Sequence, residues 1–449
     1  MKGSTTKDLT TGSETKLILL FAIPLFIGDM FQQLYNIADT VIVGRTLGMN
    51  ALAAVGATGS IVSLVLSTIS GFCTGLSIQL AQHFGAGNLK NVRKAFANGI
   101  LLLVGIIGIF TIVCVTLSYP ILRLMNTPTE IMDDSYRYII WVFGGLFATA
   151  LYNMLSGAMR ALGDSRRPLL FLIVACIVNI VLDFALIQGL GMGTAGAGLA
   201  TVIAQLVSGL LCVGYIYKKM PALHFTWIDL KPDKAILKQL IHLGAPMALL
   251  GGVISLGSVM LQSVNNGFGA VYITAYTAAS KIFSFVSLPI NSIGAAISVF
   301  VAQNYGADKP KRIIRGVNKS MLIGCIWCVA SAMVILVFGR SIMRAVAGGE
   351  SAEVIENGYL YLVVSSALAL LLVPLIIYKA ALQALGYAVV PVLSGIAEVF
   401  ARGGISVVLS ASFGFMGFCF VNPSAWLAAL VPIFINYMFV LKKLKNGIS

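Results

Sequence analysis

The sequence predicts an all-α integral membrane protein, and three observations carry that prediction. Of 449 residues, 58% are hydrophobic and 10% charged, with a mean hydropathy of +0.94, whereas soluble domains carry about 25% charged residues. Twelve apolar stretches are centred near residues 30, 66, 106, 146, 177, 206, 252, 286, 326, 370, 400 and 428, each long enough to cross ~30 Å of hydrocarbon. Basic residues crowd alternate loops: Lys2, Lys7, Lys16; Lys90, Arg93, Lys94; Arg160, Arg166, Arg167; Lys218, Lys219, Lys231, Lys234, Lys238; Lys309, Lys311, Arg312, Arg315, Lys319; Lys442, Lys443, Lys445. Acids gather on the opposite side, at Glu130, Asp133, Asp134, Glu350, Glu353 and Glu356. The net charge of +14 therefore reads as membrane orientation and not as nucleic-acid binding, with both termini cytoplasmic by the positive-inside rule. Little chain remains for a soluble domain.

The N-terminal MKGSTTKDLTTGSETK has no cleavable apolar stretch, so the first span is expected to stay in the protein. That span carries a polar stripe. Asp29, Gln32, Gln33, Asn36, Asp39 and Thr40 fall within roughly 120° of arc at ~100° per residue. Spans two and three are apolar and joined by the basic segment AQHFGAGNLKNVRKA. Span four holds Tyr138 and Asn153. Span five, LLFLIVACIVNIVLDFALI, places Asn179 one turn before Asp183 on the same face. The loop GMGTAGAG (191–198) is no nucleotide fingerprint, because no β-strand precedes it. Thr201 opens span six.

After the basic segment Lys218–Lys234, span seven offers Gln262, Asn265 and Asn266, and span eight offers Lys281 and Asn291. Cys325 and Cys328 in span nine form a CxxC by letter only, mid-helix and without other ligands, so all seven cysteines read as packing residues. Lys379 lies in span ten. Glu398 and Arg402 sit at i, i+4 in span eleven, a spacing at which an ion pair forms. That pair reads either as a charge-neutral bundle element or as a gating group. Aromatics at Phe147, Tyr152, Phe283, Phe285 and Tyr378 can pack, or can stack on organic cations.

The chain also repeats itself. AQHFGAGNLKNVRKA (81–95) matches AQNYGADKPKRIIRG (302–316) at an offset of 221, AMRALGDSRRP (158–168) matches ALQALGYAVVP (381–391) at 223, and Pro24 corresponds to Pro246. Each half has six spans, an even number, so the halves are parallel repeats about an axis along the membrane normal. The expected division is an N-terminal six-helix bundle over 1–220 with the cation site, a cytoplasmic linker over 221–235, and a C-terminal six-helix bundle over 236–449. A central cavity with alternating access goes with that design.

Asp39 and Asp183 carry the functional argument. A charge at the bilayer centre costs roughly 3 kcal/mol or more, so such residues face a polar interior and serve ion or substrate movement. No basic partner is evident in the N-terminal half. Two neighbouring carboxyls titrate as a coupled pair, and their oxygens suit H⁺ or Na⁺ equally. The competing reading is a buried hydrogen-bonded network that only orients helices. Asp29 reads either as a contact for cationic substrate or as part of a wet cytoplasmic mouth. Gln32, Gln33, Asn36, Gln262 and Asn291 are candidate cavity-lining groups, with Glu398 and Arg402. Catalytic machinery is absent: His83, His224 and His242 are too scattered for a metal pattern, and no Walker motif occurs.

FQQLYNIADTVIVGRTLG, AVGATGS, the AQ-aromatic-GAG…K block and the ALGD…RP block together resemble the multidrug and toxic compound extrusion (MATE) family, in its DinF-like branch. The resemblance covers residues 14 to 443. It implies a cation site made by Asp39, Asn179, Asp183, Asn153 and Thr201, with Tyr138 as a further member. Asp39 and Asp183 would act as metal ligands only if Na⁺ is the coupling ion; no other cofactor is implied. The family's second branch uses carboxylates in helices seven and ten, and residues 237–267 and 359–386 hold none. The resemblance implies a non-enzymatic secondary antiporter in a prokaryotic cytoplasmic (inner) membrane. It would work as a monomer in the lipid bilayer and export amphipathic drugs or small organic cations. A flippase for a lipid-linked precursor is the alternative; an anionic head group calls for several cavity arginines, and only Arg402, Lys281 and Lys379 are intramembrane bases, all in one half.

Overall fold

The computed structural model describes residues 7–348 and 351–446; Lys2 and Glu350 of the charge map lie outside the described residues. The described residues form helices and no strand. In order they are α1 (Glu14–Leu47), α2 (Met49–Gly85), α3 (Leu89–Leu124), α4 (Thr129–Gly144), α5 (Leu146–Ala161), α6 (Arg166–Asp183) and α7 (Thr194–Lys219). Then follow α8 (Lys234–Asn266), α9 (Ala270–Gly306), α10 (Pro310–Ala347), α11 (Ala352–Leu368), α12 (Leu372–Ala384), α13 (Val389–Cys419) and α14 (Val421–Lys445). Eleven helices among the described residues are long and apolar enough to cross a membrane, and the bent pair α4–α5 makes a twelfth, so the twelve expected spans are all present. The 45° bend falls at Gly144–Gly145, a pair of the kind that kinks helices.

The duplication shows in the backbone. Left-handed φ values recur at matching positions: Gly48 and Gly269 (φ 88° and 95°), Gly87 and Asp308, Asn126 and Gly348, Gly163 and Gly386, Gly193 and Gly414. Gly48 and Gly269 stand immediately before α2 and α9, where the chain reverses and a side chain would strain the turn.

The chain packs into two compact units. One contains Ile27–Ala248 with the residues just before Leu9; the other contains Leu9–Phe26 and the chain from Leu249 onward. Sequence reasoning set the boundary at the 221–235 linker, whereas packing groups that linker with the first unit. The cause is Asn98, fully buried on α3. Its amide donates to the carbonyls of Asp229 (3.1 Å) and Lys231 (3.4 Å), and its oxygen accepts from the Asp233 amide at 2.9 Å. Backbone donors at the start of α8 hold the Asp233 carboxyl below the usual carboxylate range. Both divisions fall two residues beyond the repeated prolines Pro24 and Pro246, inside α1 and α8, where proline removes a helical hydrogen bond.

The repeated AQ blocks do equivalent work in each unit. In the first, Gln82 accepts from Gln239 near the start of α8 at 3.3 Å. In the second, Gln303 accepts from the Leu9 amide at 3.0 Å, and Arg312 pairs with Glu14 at 3.6 Å at the start of α1. Each block fixes the entry of the helix that begins a repeat.

Within the first unit α2 crosses α8 backbone to backbone. A Cβ on Gly71 would strike the Met247 carbonyl, and one on Gly75 would strike Gly244. Gly75→Val should therefore cost about 1–3 kcal/mol through overpacking, read as a lower midpoint of thermal unfolding in detergent. Gly105→Ala on α3, where the added carbon meets open space, should show no loss; equal stability of both variants would contradict the crossing.

Candidate functional site

Asp39 and Asp183 meet in the first unit. Their side chains are close enough to interact, and a hydrogen bond between two carboxyls needs one proton shared by the two groups. Asp183 is fully buried and Asp39 half-buried. The two Oδ1 atoms have no hydrogen-bond partner, and neither carboxyl forms an ion pair with a lysine or arginine among the described residues.

The surroundings follow from the helices. Asp183 ends α6, and a π-helical turn, Phe184–Gly189, follows directly. Such wide turns are frequent at functional sites. One turn earlier Asn179, also fully buried, bridges two elements: its Nδ2 donates to Asp183 Oδ2 at 3.0 Å and its Oδ1 accepts from the Thr201 amide at 3.2 Å. The Thr201 hydroxyl donates to Ala197 O at 3.1 Å and lies 3.2 Å from Tyr35 Oη. Tyr138 on α4 and Tyr35 on α1 both interact electrostatically with Asp39 and Asp183. Gly198 makes the Tyr138 approach possible, since a Cβ there would lie 2.8 Å from the Tyr138 carbonyl. An apolar cluster of Ile42, Val43, Ala51, Ile187 and Ala197 has Tyr138 and Ile180 packed against it.

A pocket adjoins the pair, lined by Gln32, Tyr35, Asn179 and Gln205 with Leu172, Ala175, Cys176 and Ala204. Gln205 Oε1 is buried without a partner, an open acceptor on the route to Asn179. Chemically the site gathers carboxyl, hydroxyl and phenol oxygens, with the Asn179 amide donating to Asp183. No group of three His, Cys, Asp or Glu side chains suited to a metal ion occurs among the described residues; Na⁺ would rest on the two carboxyls, Asn179, Thr201 and phenol oxygens. The unpartnered Oδ1 atoms fit H⁺ and Na⁺ alike.

Of the sequence-derived candidates, Asp39, Tyr138, Asn179, Asp183 and Thr201 converge. Asn153 goes elsewhere: its amide donates to Thr149 O at 2.9 Å and its oxygen faces the Ser70 hydroxyl at 3.4 Å. Asp29 and Gln33 are half-buried on α1, Gln32 and Asn36 exposed, and Asp29 is an electrostatic neighbour of Tyr152. Gln262, Asn291, Glu398 and Arg402 belong to the other unit. Gln262 donates to Asn266 at 2.9 Å, and Arg402 pairs with Glu398 at 2.7 Å. Sequence reasoning missed Tyr35 and Gln205; each lies one turn from a chosen residue, Asp39 or Thr201, which was the available signal.

The MatE family model matches residues 24–185 and 246–403. A probable multidrug resistance protein of Bacillus subtilis, YoeA, is 30% identical over 442 residues, covering 94% of this chain and 93% of its own. An FAD transporter of Shewanella oneidensis is 24% identical over 301 residues, 66% of each chain. Among solved structures, a MOP superfamily transporter from Pyrococcus furiosus superposes with a TM-score of 0.90 at 23% identity, covering 99% of this chain and 100% of that one.

Tyr35→Phe removes the hydroxyl facing Thr201 and should weaken cation binding roughly fivefold, about 1 kcal/mol for one hydrogen bond. Asn153→Ala should stay within about twofold of the parent protein. Titration of cation-dependent dye efflux in proteoliposomes measures both; the reverse order would contradict this grouping of residues.

Proposed function

We propose that this chain, which belongs to the MatE family, is a cation-coupled antiporter that exports amphipathic organic compounds, cationic drugs among them, from the cytoplasm. It is a multi-pass membrane protein of a multidrug efflux family. One observation carries the coupling: a buried and a half-buried carboxyl that interact with each other, without any basic partner among the described residues. Such a pair holds one H⁺ or one Na⁺ and releases it when the surroundings change.

Coupling follows from linkage. If cation and exported compound favour different arrangements of the protein, loading one biases release of the other. The tyrosines, Asn179 and Thr201 orient the carboxyls. The relatives named above as a multidrug resistance protein and a FAD transporter support export of sizeable organic molecules.

Asp39→Asn and Asp183→Asn should each lower gradient-driven ethidium efflux from proteoliposomes by at least about tenfold, the equivalent of 1.4 kcal/mol, with unchanged insertion. Imposing a proton gradient or a sodium gradient separately identifies the ion. Full efflux in either variant would contradict the assignment.

A further inference from the structure

The linker between α7 and α8 carries an apolar turn that the first unit fastens and leaves uncovered. In the segment FTWIDL (225–230), Trp227 and Ile228 are 89% and 73% exposed, and Phe225 and Tyr217, on the last turn of α7, are exposed too. The turn is closed by its own hydrogen bonds. Asp229 Oδ2 accepts from the Thr226 amide at 2.8 Å and from its hydroxyl at 2.9 Å, and the Asp229 amide donates back to Thr226 O at 3.0 Å. Asn98 on α3 grips the Asp229 and Lys231 carbonyls, and Phe225 meets Phe96 edge to face at 5.9 Å. A fastened backbone that presents two large apolar side chains outward calls for a partner for them.

Depth identifies that partner. Lys94 is the last charged residue of α3 before Arg123. The uncharged stretch between them, 95–122, rises about 40 Å at ~1.5 Å per residue, the thickness of a bilayer with its headgroup layers. Asn98 stands one turn inside the end of that stretch, so the turn it grips lies at headgroup depth. The end of α7 agrees. Its apolar run gives way to Tyr217, Lys218 and Lys219, an aromatic beside bases, as at a membrane–water boundary. Lys218 and Lys231 are exposed on either side of the turn. Tryptophan suits this layer, since its ring is apolar and its N–H polar.

We propose that the 225–230 turn is an interfacial anchor. Trp227 and Ile228 insert at the headgroup level of the leaflet on the basic side of the protein, the cytoplasmic one by the positive-inside rule. Lys218 and Lys231 meet the phosphates of anionic lipids there. Because Asn98 ties the turn to α3 and accepts from the Asp233 amide just before α8 at 2.9 Å, the anchor sets the depth of both helices. It goes beyond the export reading and requires only that the chain spans a membrane.

The test reads the fluorescence of Trp227, taken as the difference between the parent protein and Trp227→Phe. Both full-length proteins are reconstituted into vesicles of equimolar phosphatidylcholine and phosphatidylglycerol. That emission should lie to the blue of indole in water and resist iodide. It should be lost when the lipids carry bromine at the top of the acyl chain, and less so with bromine near the terminal methyl. Energy transfer from Trp227 to dansyl on the acyl chain should favour phosphatidylglycerol over phosphatidylcholine, and Lys218→Gln with Lys231→Gln should lower that preference at least about twofold. Should Trp227→Phe fail to fold, a protein with Trp141→Phe, Trp327→Phe and Trp426→Phe keeps Trp227 as its one tryptophan and gives the same reading. Emission like that of aqueous indole, quenched by iodide, would put the turn in solution and overturn the anchor. Shielding from iodide without quenching by brominated lipid would mean that protein covers the turn, a second copy of the chain included, and would overturn it equally. Equal transfer to both lipids, or no change in the lysine variant, would overturn the contact with anionic lipid. No ion gradient enters these measurements, so loss of gradient-driven efflux would leave them standing.

Discussion

Two carboxyls enclosed together without a base is the constraint on which the first unit is built. At an effective dielectric of ~20, like charges about 4 Å apart repel by roughly 4 kcal/mol, so the pair is stable only with a positive charge between its oxygens. No Lys or Arg among the described residues supplies one. In the proposed antiport the charge arrives from solution as H⁺ or Na⁺. Asn179 ties Asp183 to the Thr201 amide, and the π turn after Asp183 interrupts the regular ladder where α6 would otherwise continue. These features fix the position of the Asp183 carboxyl, while Oδ1 of each aspartate has no hydrogen-bond partner.

The two repeats share a scaffold and differ in the charge they enclose. The same left-handed turns, prolines and AQ blocks recur in both. The first unit encloses an acid pair. The second encloses the ion pair of Arg402 and Glu398. Backbone geometry is kept because turns and helix entries are steric requirements, whereas interior polar groups are free to diverge once each is satisfied.

Much of this was legible in the sequence. Twelve spans followed from hydropathy, because lipid forces backbone hydrogen bonds inside helices. Asp39, Asn179 and Asp183 followed from charge at helical spacing within apolar runs. The exact partners did not. Asn153 and Tyr138 were implied by the family resemblance and not by spacing, and the 45° bend at Gly144–Gly145 separates the two halves of their span. Tyr35 was hidden because a tyrosine in a membrane helix ordinarily packs, and only its distance to Thr201 shows otherwise. The compact units divide inside α1 and α8, where composition does not change, so no linker signal marks them.

Infrared difference spectroscopy across a pH titration tests the central claim most directly, since a protonated carboxyl has its own C=O stretching band. The account predicts that the carboxylic-acid band of the parent protein changes in both frequency and titration midpoint in Asp39→Asn and in Asp183→Asn alike, because the protonation of each carboxyl depends on the other. Two bands that titrate independently, each lost in only one variant, would mean that the carboxyls do not share a site.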